Sequence, residues 1–552
     1  MLHRILMAVV AFGMIAVGTP AFAQSKQVAV LSLASYEDLI EQIDYLGSLA
    51  GQEKASDTLE GMLNGFTGGQ GTEGLDKEKP WGVAVLTDGQ GFQIVGMVPV
   101  ADFDKLISAI GANLGEPAEK NGVYQFQGPL SLAIKHQGDW AYLAQGPQHL
   151  ASLPKDPSAI LGPIATDYSI GLRFFVANIP EAFREQGLAM IKGGLQMSLQ
   201  QQEGETDAQF EVRRGVVENQ LAAFEKNAKE LDQITLGLAI DPEDKQVYLD
   251  IDTTVVAGSN LAKQLAAQAG AKTKFAGFLS DENAAYFNVT SKLGPDDIKQ
   301  TLESMKGVRA QVEKAIDDEE KLPNDEAKAS VKKIVGTLLD SFEATIKTGS
   351  IDGGGALQLG DTLTFAAGGY VADGAQLDKA FRDLVKLAEK EPDFPGVKFD
   401  AAKHKDVRFH TLTVPVKDDE DAQKVLGENL DIVIGIGPKA GYLAFGADGL
   451  DELKTVIDAS GKKTDADIPP VQVNVSLGRI FKFAASKGDE PQVAAMAEAL
   501  AESDGEDHVT LTVVPVTNGQ RVRLLLEEGV LKLIGQAGKM SQAQAAGAGG
   551  GF

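Results

Sequence analysis

The sequence predicts an α+β fold made of two tandem homologous units, each a mainly antiparallel sheet with helices packed on one face. Three observations predict it. Short apolar runs alternate with polar residues and meet at hairpin turns, the signature of antiparallel strands. Between them lie stretches whose apolar residues recur at helical spacing. Three short segments also recur in one order. Tyr142-Leu143-Ala144-Gln145-Gly146 returns as Tyr442-Leu443-Ala444-Phe445-Gly446. Ala101-Asp102-Phe103-Asp104-Lys105 returns as Ala375-Gln376-Leu377-Asp378-Lys379, and Ile234-Thr235-Leu236 as Val509-Thr510-Leu511.

The elements follow in order. In the first unit, 24–272, Val28–Leu33 reads as an apolar strand, and Tyr36–Leu49 and Ala55–Phe66 read as two short helices. A hairpin over Trp81–Leu86 and Phe92–Val98 turns at Asp88-Gly89. Phe103, Leu106, Ile107, Ile110 and Leu114 then line one face of an amphipathic helix. Strands are expected at Val123–Gln127, Leu130–Lys135, Trp140–Gln145 and Ser169–Val176. A mostly helical excursion over Ile179–Glu230 follows, then a closing hairpin over Ile234–Ile240 and Gln246–Thr253, and a helix over Ser259–Ala269.

The second unit, 273–540, repeats the order. It has a strand at Ala285–Val289, helices over 296–320 and 325–346, a hairpin around Gly360-Asp361, and a helix with Leu377, Phe381, Leu384, Val385 and Ala388 on one face. Strands follow at Val407–Pro415, Asp431–Ile436 and Ala440–Phe445. Val471, Val473 and Val475 alternate with Gln472, Asn474 and Ser476, which predicts a half-buried strand whose polar face is wet. Val509–Val513 and Val522–Leu526 close the sheet, and Leu531–Ile534 opens a last helix. Residues 541–552 are Gln/Ala/Gly-rich and read as a disordered tail.

The chain has 552 residues, no cysteine and a net charge of −27. Without cysteine there is no disulfide framework, thiolate metal site or thiol nucleophile. The acidity is spread over both halves, which disfavours nucleic acid and anionic membrane surfaces as partners, since both need a basic footprint. Residues 1–23 carry a polar start at His3 and Arg4, an apolar run over Ile5–Val17, a break at Pro20 and the small-x-small pattern Ala21-Phe22-Ala23. This reads as a signal peptide cleaved after Ala23, leaving a periplasmic or extracellular protein with no transmembrane segment in the mature chain.

Several segments imitate chemistry. Gly435-Ile436-Gly437-Pro438-Lys439-Ala440-Gly441 looks like a dinucleotide loop, but it leads into a strand, whereas phosphate binding needs a helix N-terminus. Ser330-Val331-Lys332-Lys333 and Lys347-Thr348-Gly349 resemble motifs of penicillin-binding serine enzymes, yet both fall on one helix, which cannot fold Lys347 back over Ser330. His136, His149, His404, His410 and His508 show no metal-ligand spacing, and Lys403-His404-Lys405 reads as loop. Asp317-Asp318-Glu319-Glu320 and Asp241, Glu243 and Asp244 read as solvated turns without the ligand alternation of a calcium loop. No catalytic, cofactor-binding or metal-binding residue is assigned.

The Tyr-Leu-Ala-x-Gly strand followed by a short helix, at 142–153 and 442–458, resembles a pattern in bacterial secreted proteins of unknown function built from duplicated α+β units. The resemblance covers the whole mature chain. It implies an envelope or extracellular location and a non-catalytic role. The reading is therefore an exported, non-enzymatic binding or scaffolding protein of the bacterial cell envelope, with an unknown protein or envelope component as partner. The alternatives are a periplasmic carrier of an apolar ligand, with Trp81 and Trp140 suited to a pocket, and a hydrolase of unrecognised type.

Overall fold

The computed structural model describes residues 25–548 except 128–130, 152, 202–204, 206, 319–323, 391–393, 418, 464–467 and 504. The signal segment, the start of the strand expected at Leu130, Glu319-Glu320 and the last four residues lie outside the described residues. The chain is α+β, with 42% helix and 32% strand. Its contacts divide into two units. One comprises Met1–Ala262, Val516–Arg521 and Ile534–Phe552, and the other Lys263–Pro515 and Val522–Leu533.

In the first unit the strands are β1 (Lys26–Leu33), β2 (Trp81–Thr87), β3 (Phe92–Pro99), β4 (Ala118–Lys120), β5 (Val123–Phe126), β6 (Leu132–Gln137), β7 (Trp140–Ala144), β8 (Ile170–Phe175), β9 (Leu231–Asp241) and β10 (Gln246–Val255). They pair antiparallel in the order β10-β9-β8-β1-β2-β3-β7-β6-β5-β4. The helices are α1 (Tyr36–Leu49), α2 (Asp57–Phe66), α3 (Phe103–Leu114), α4 (Glu181–Ser198), α5 (Asp207–Ala228) and α6 (Asn260–Gln268), with two one-turn helices at Ser158–Leu161 and Ile164–Asp167. Side-chain caps set where helices begin. Ser35 accepts from the Asp38 N–H before α1, and Asp102 from the Lys105 N–H before α3.

In the second unit the strands are β11 (Ala285–Lys292), β12 (Ser350–Leu359), β13 (Leu363–Tyr370), β14 (Lys398–His404), β15 (Val407–Pro415), β16 (Asn429–Ile436), β17 (Ala440–Phe445), β18 (Val471–Ser476), β19 (His508–Val516) and β20 (Gly519–Glu527), the last from Val522 onward. Their order is β20-β19-β18-β11-β12-β13-β17-β16-β15-β14, and the registered pairs are antiparallel. The helices are α7 (Pro295–Asp318), α8 (Asp325–Lys347), α9 (Gly374–Ala388), α10 (Glu420–Leu426), α11 (Gly449–Lys462), α12 (Leu477–Lys487), α13 (Pro491–Ala501) and α14 (Glu528–Ala548), of which only residues 528–533 fall in this unit. Asp373 caps α9 by accepting from the N–H groups of Ala375 and Gln376. The pair α7 and α8 has 24 and 23 residues against 14 and 10 in α1 and α2. Helix α14 continues through Ala548, where the sequence reading begins a disordered tail at Ser541.

Strand by strand, the pairing order of the second unit is that of the first. The register agrees at the centre. Leu143 on β7 stands between Gly96 and Ile134, and Leu443 on β17 between Ala367 and Ile434. Tyr142 and Tyr442 are therefore on strands of the same rank in the two pairing orders.

The expectation of helices on one face only is corrected. In the first unit Tyr142 and Ala144 join a core with Leu161 and Ile164, whereas Ala141 joins a second core with Leu106 of α3. Adjacent strand residues point to opposite faces, so both sides of β7 are covered. The second unit does the same. Ala444 of β17 packs with Leu453 and Val456 of α11, while Leu377 of α9 approaches Gly441 from the other side.

Candidate functional site

The sheet rows expose an unexpected polarity. Across five strands of the first unit, Val83, Leu31, Leu172, Leu236 and Ile251 stand in one registered row. Trp81, Leu33, Ile170, Leu238 and Leu249 form the next. These rows are not sealed: Leu236, Leu249 and Ile251 are 36%, 41% and 39% exposed. The opposite face is the closed one, and it holds polar groups. Ser32 and Asp250 are fully buried, and the Tyr168 hydroxyl donates to Asp250 Oδ2 at 3.0 Å.

The second unit repeats the inversion. Leu511, Val473, Phe287, Gly355, Ala367 and Leu443 share a row in which Phe287 and Leu443 are 37% and 42% exposed. Asn288, Asn474 and Ser476 lie on the buried face. The expected wet face of β18 is thus the inner one. Hydrogen bonds offset part of the cost: the Asn474 amide donates to Thr510 Oγ1 at 3.0 Å, Asn288 to the Pro469 carbonyl at 3.1 Å, and Gln472 to the Tyr286 hydroxyl at 3.2 Å, while Oδ1 of Asn288 and of Asn474 is buried without a hydrogen-bond partner. An apolar sheet surface left open in this way is a binding feature more often than an accident.

A second cluster sits between α9 and β15 of the second unit. Asp378 is one turn before Arg382 on α9, while Arg408 and His410 share a face of β15. Asp378 accepts from Arg382 Nε at 3.1 Å, from an Arg408 guanidinium nitrogen at 3.1 Å and from His410 Nε2 at 3.2 Å. His410 Nδ1 accepts the Asp400 N–H at 3.0 Å, which assigns the proton to Nε2. Burial pulls the His410 pKa down, with the Arg382 charge adding to it. Arg382 also bonds Asp400 at 2.9 Å and lies 4.6 Å from the Phe399 ring centroid. It holds the Asp400 carboxyl below the usual range. Both imidazole nitrogens are committed, so His410 acts here as a clamp joining helix to strand, not as an available base.

Beside this clamp is a pocket of about 170 Å³ that opens to solvent, lined by Phe381 and Val385 of α9, Leu412 of β15, Ile432 and Ile434 of β16, and the His410 ring.

No protein-family model, curated protein or solved structure matches the chain.

The remaining sequence candidates fall as follows. Gly437, Pro438 and Lys439 form the turn between β16 and β17, and Ser330, Lys333 and Lys347 all lie on α8. His136 stacks on Phe103 at 4.5 Å, and burial lowers the His149 pKa. His404 ends strand β14, correcting the loop reading, and bonds Asp458 at 3.0 Å; His410 is on the neighbouring strand. His508 bonds Glu527 at 3.0 Å. Asp241 closes its own turn by accepting from the Glu243 and Asp244 N–H groups, and Asp317 pairs with Lys332 at 2.6 Å. Trp140 is a core residue, whereas Trp81 stands on the open face. Among the described residues no group of three or more His, Asp or Glu side chains is placed to hold a metal ion, and no helix is long and apolar enough to cross a membrane.

The His410 clamp and the open rows were missed from sequence. The rows had a signal: Leu236, Leu238, Leu249 and Ile251 alternate cleanly. Alternation says which residues share a face, but not which face is covered.

Proposed function

We propose that the protein is an exported, non-enzymatic binding or scaffolding protein of the bacterial cell envelope, built by tandem duplication of one α+β unit. The observation that carries the reading is the open apolar sheet face, present in both units with exposed Leu236, Leu249 and Ile251 in one and Phe287 and Leu443 in the other. The shared strand order and the common register around Leu143 and Leu443 support the duplication. Two similar faces on one chain engage a repeated partner more tightly than either alone, because the second contact is intramolecular. With a net charge of −27, the complementary partner is an envelope protein with an apolar centre and a basic rim.

The test uses the mature protein recovered from its own envelope and examined by native mass spectrometry. A bound partner is expected, lost on Leu249→Lys or Leu443→Lys and retained on Met190→Lys, which alters a still more exposed apolar residue, on α4. Loss of the partner with all three variants alike overturns the assignment to the sheet faces. Hydrolysis of any substrate in a broad panel, abolished by one point substitution, overturns the non-enzymatic reading.

A further inference from the structure

Helix α4 carries an apolar stripe that faces water. Phe183, Gly187, Met190, Ile191 and Gly194 recur at spacings of 4, 3, 1 and 3, which places them on one side of the helix. Phe183, Met190 and Ile191 are 40%, 69% and 47% exposed. Among the described residues nothing stands within 4 Å of where a Cβ would be on Gly187 or Gly194. Helix α5 lies on the other side. Lys192, about two and a half turns on from Phe183 and so pointing the opposite way, pairs with Glu225 of α5 at 3.1 Å.

The stripe begins at the margin of the open sheet face. On β3, Gly96 opposes Val83 of the open row, so Ile94 and Phe92 share its face. The Phe183 ring centroid is 4.8 Å from that of Phe92. The Asn178 amide donates to the Gln27 carbonyl at 2.8 Å, which ties the entry of α4 to β1. From Phe183 to Ile191 the helix rises about 12 Å. Leu31, in the open row, is two strands across and four residues along from Phe92, a span of about 16 Å. A helix laid on the sheet from its present contact therefore brings Ile191 over Leu31 and Val83. In the second unit the counterpart is already down. Helix α12 follows β18 as α4 follows β8, and it packs against β12, two strands away. Its last turn is tied by Lys487 Nζ donating to the Asp361 carbonyl, between β12 and β13, at 2.6 Å.

We propose that α4 is a built-in cover for the open sheet face of the first unit. It folds down about its contact at Phe92, so that Phe183, Met190 and Ile191 bury Val83 and Leu31, and it lifts when a partner takes the face. The inference rests on the reading of that face as a binding surface and adds its regulation. Both surfaces are apolar and both face water when the helix is up, so closure removes area from water on each. Gly187 and Gly194 weaken the helix but leave its backbone bare where it meets the sheet. The partner binds only the lifted fraction, so the cover sets its affinity together with the face.

The chain has no cysteine, so an introduced pair of thiols reports alone. The full mature protein carrying Ile191→Cys and Leu31→Cys is treated with bis(maleimido)ethane, and cross-linking is followed by mass spectrometry. The control carries Ile191→Cys and Lys120→Cys, with its second thiol on the edge strand β4. The first pair is expected to cross-link about tenfold faster or more, because closure raises its effective concentration. Adding Met190→Lys should slow it about tenfold, since an apolar contact of the cover is lost. Equal rates in the two pairs, or a rate indifferent to Met190→Lys, overturns the proposal. Circular dichroism checks that each variant is folded, and Val83→Cys replaces Leu31→Cys should that one misfold. Cross-linked protein should lose the envelope partner, and a partner retained on it overturns the regulatory role. Partner binding without cross-linking leaves the face assignment standing and removes the cover; cross-linking without any partner does the reverse.

Discussion

Asp378 and His410 meet at 3.2 Å between α9 and β15, the imidazole donating to a carboxylate that two guanidinium groups also share. Removing the acceptor strands three donors in a partly closed space. Asp378→Ala is expected to cost about 2–3 kcal/mol in urea denaturation, and Asp378→Asn less, because the amide oxygen still accepts. Equal losses from the two would show that the charge, not the hydrogen bonds, holds the clamp.

The two amphipathic helices give a graded pair. Leu106 is 6% exposed inside a filled core, so Leu106→Ala should cost roughly 2–5 kcal/mol. Phe381 is half-buried and borders a pocket open to solvent, so Phe381→Ala should fall at or below the low end of that range. Chemical denaturation of both variants checks the order, and a larger loss at Phe381 would contradict it.

Gly237 is needed where it is. A Cβ there would stand 2.3 Å from the Tyr168 ring, whose hydroxyl is tied to the buried Asp250. The ring cannot swing aside without breaking that bond. Gly237→Ala should therefore cost about 1–3 kcal/mol, in a strand position where alanine would ordinarily be neutral or better. Combining it with Tyr168→Leu should recover part of the loss, as a thermal-melt double-mutant cycle would show.

His508 supplies the pH dependence. Its hydrogen bond to Glu527 raises its pKa above the ordinary 6.5; burial opposes this, and the Glu527, Asp507 and Asp281 charges add to it. Burial draws the Glu527 carboxyl up, but the bonds from His508 outweigh it and leave it below its ordinary value. A histidine raised in the folded chain stabilises fully below its unfolded value and loses that contribution as pH climbs through the folded one. The melting-temperature advantage of wild type over His508→Gln should thus be full below pH 6.5 and shrink as pH rises above it. His410, lowered by burial, works in the opposite sense: its contribution falls as pH drops below 6.5. An advantage of wild type over His508→Gln that grows with pH would contradict the His508 assignment.

Element types were readable from sequence where local signals agree. The apolar stripe from Phe103 to Leu114 marked α3, an apolar run marked β1, and two strands meeting at a turn marked β9 and β10. Strand β4 was not readable, because Ala118-Glu119-Lys120 has no apolar alternation and exists only by pairing with β5. Likewise His404 joins a strand because β15 offers a partner at Val407, not through the propensity of its lysine neighbours. The hardest feature was the direction of the sheets. The polar residues Asn474 and Ser476 read as outward-facing on any transfer scale. Cross-strand partners of such groups, here Thr510 for the Asn474 amide nitrogen, lower the cost of burial, and those partners are far away in sequence.

The outermost strands bear on a hazard the open faces create. Exposed apolar β-surface invites copies of a chain to add strand to strand and grow into fibrils. Among the described residues β4 and β14 each pair on one side only, which makes them natural docking edges. Neither is an inviting one. Strand β4 is three residues long and fully exposed, with Glu119 and Lys120 on it. Strand β14 slips register between Lys398 and Ala402, carries Asp400 at a φ of +53°, and presents exposed Lys398 and Lys403. A short charged edge and a kinked one deny an incoming strand the flat ladder it needs, so the chain keeps a sticky surface without becoming a seed for its own polymerisation.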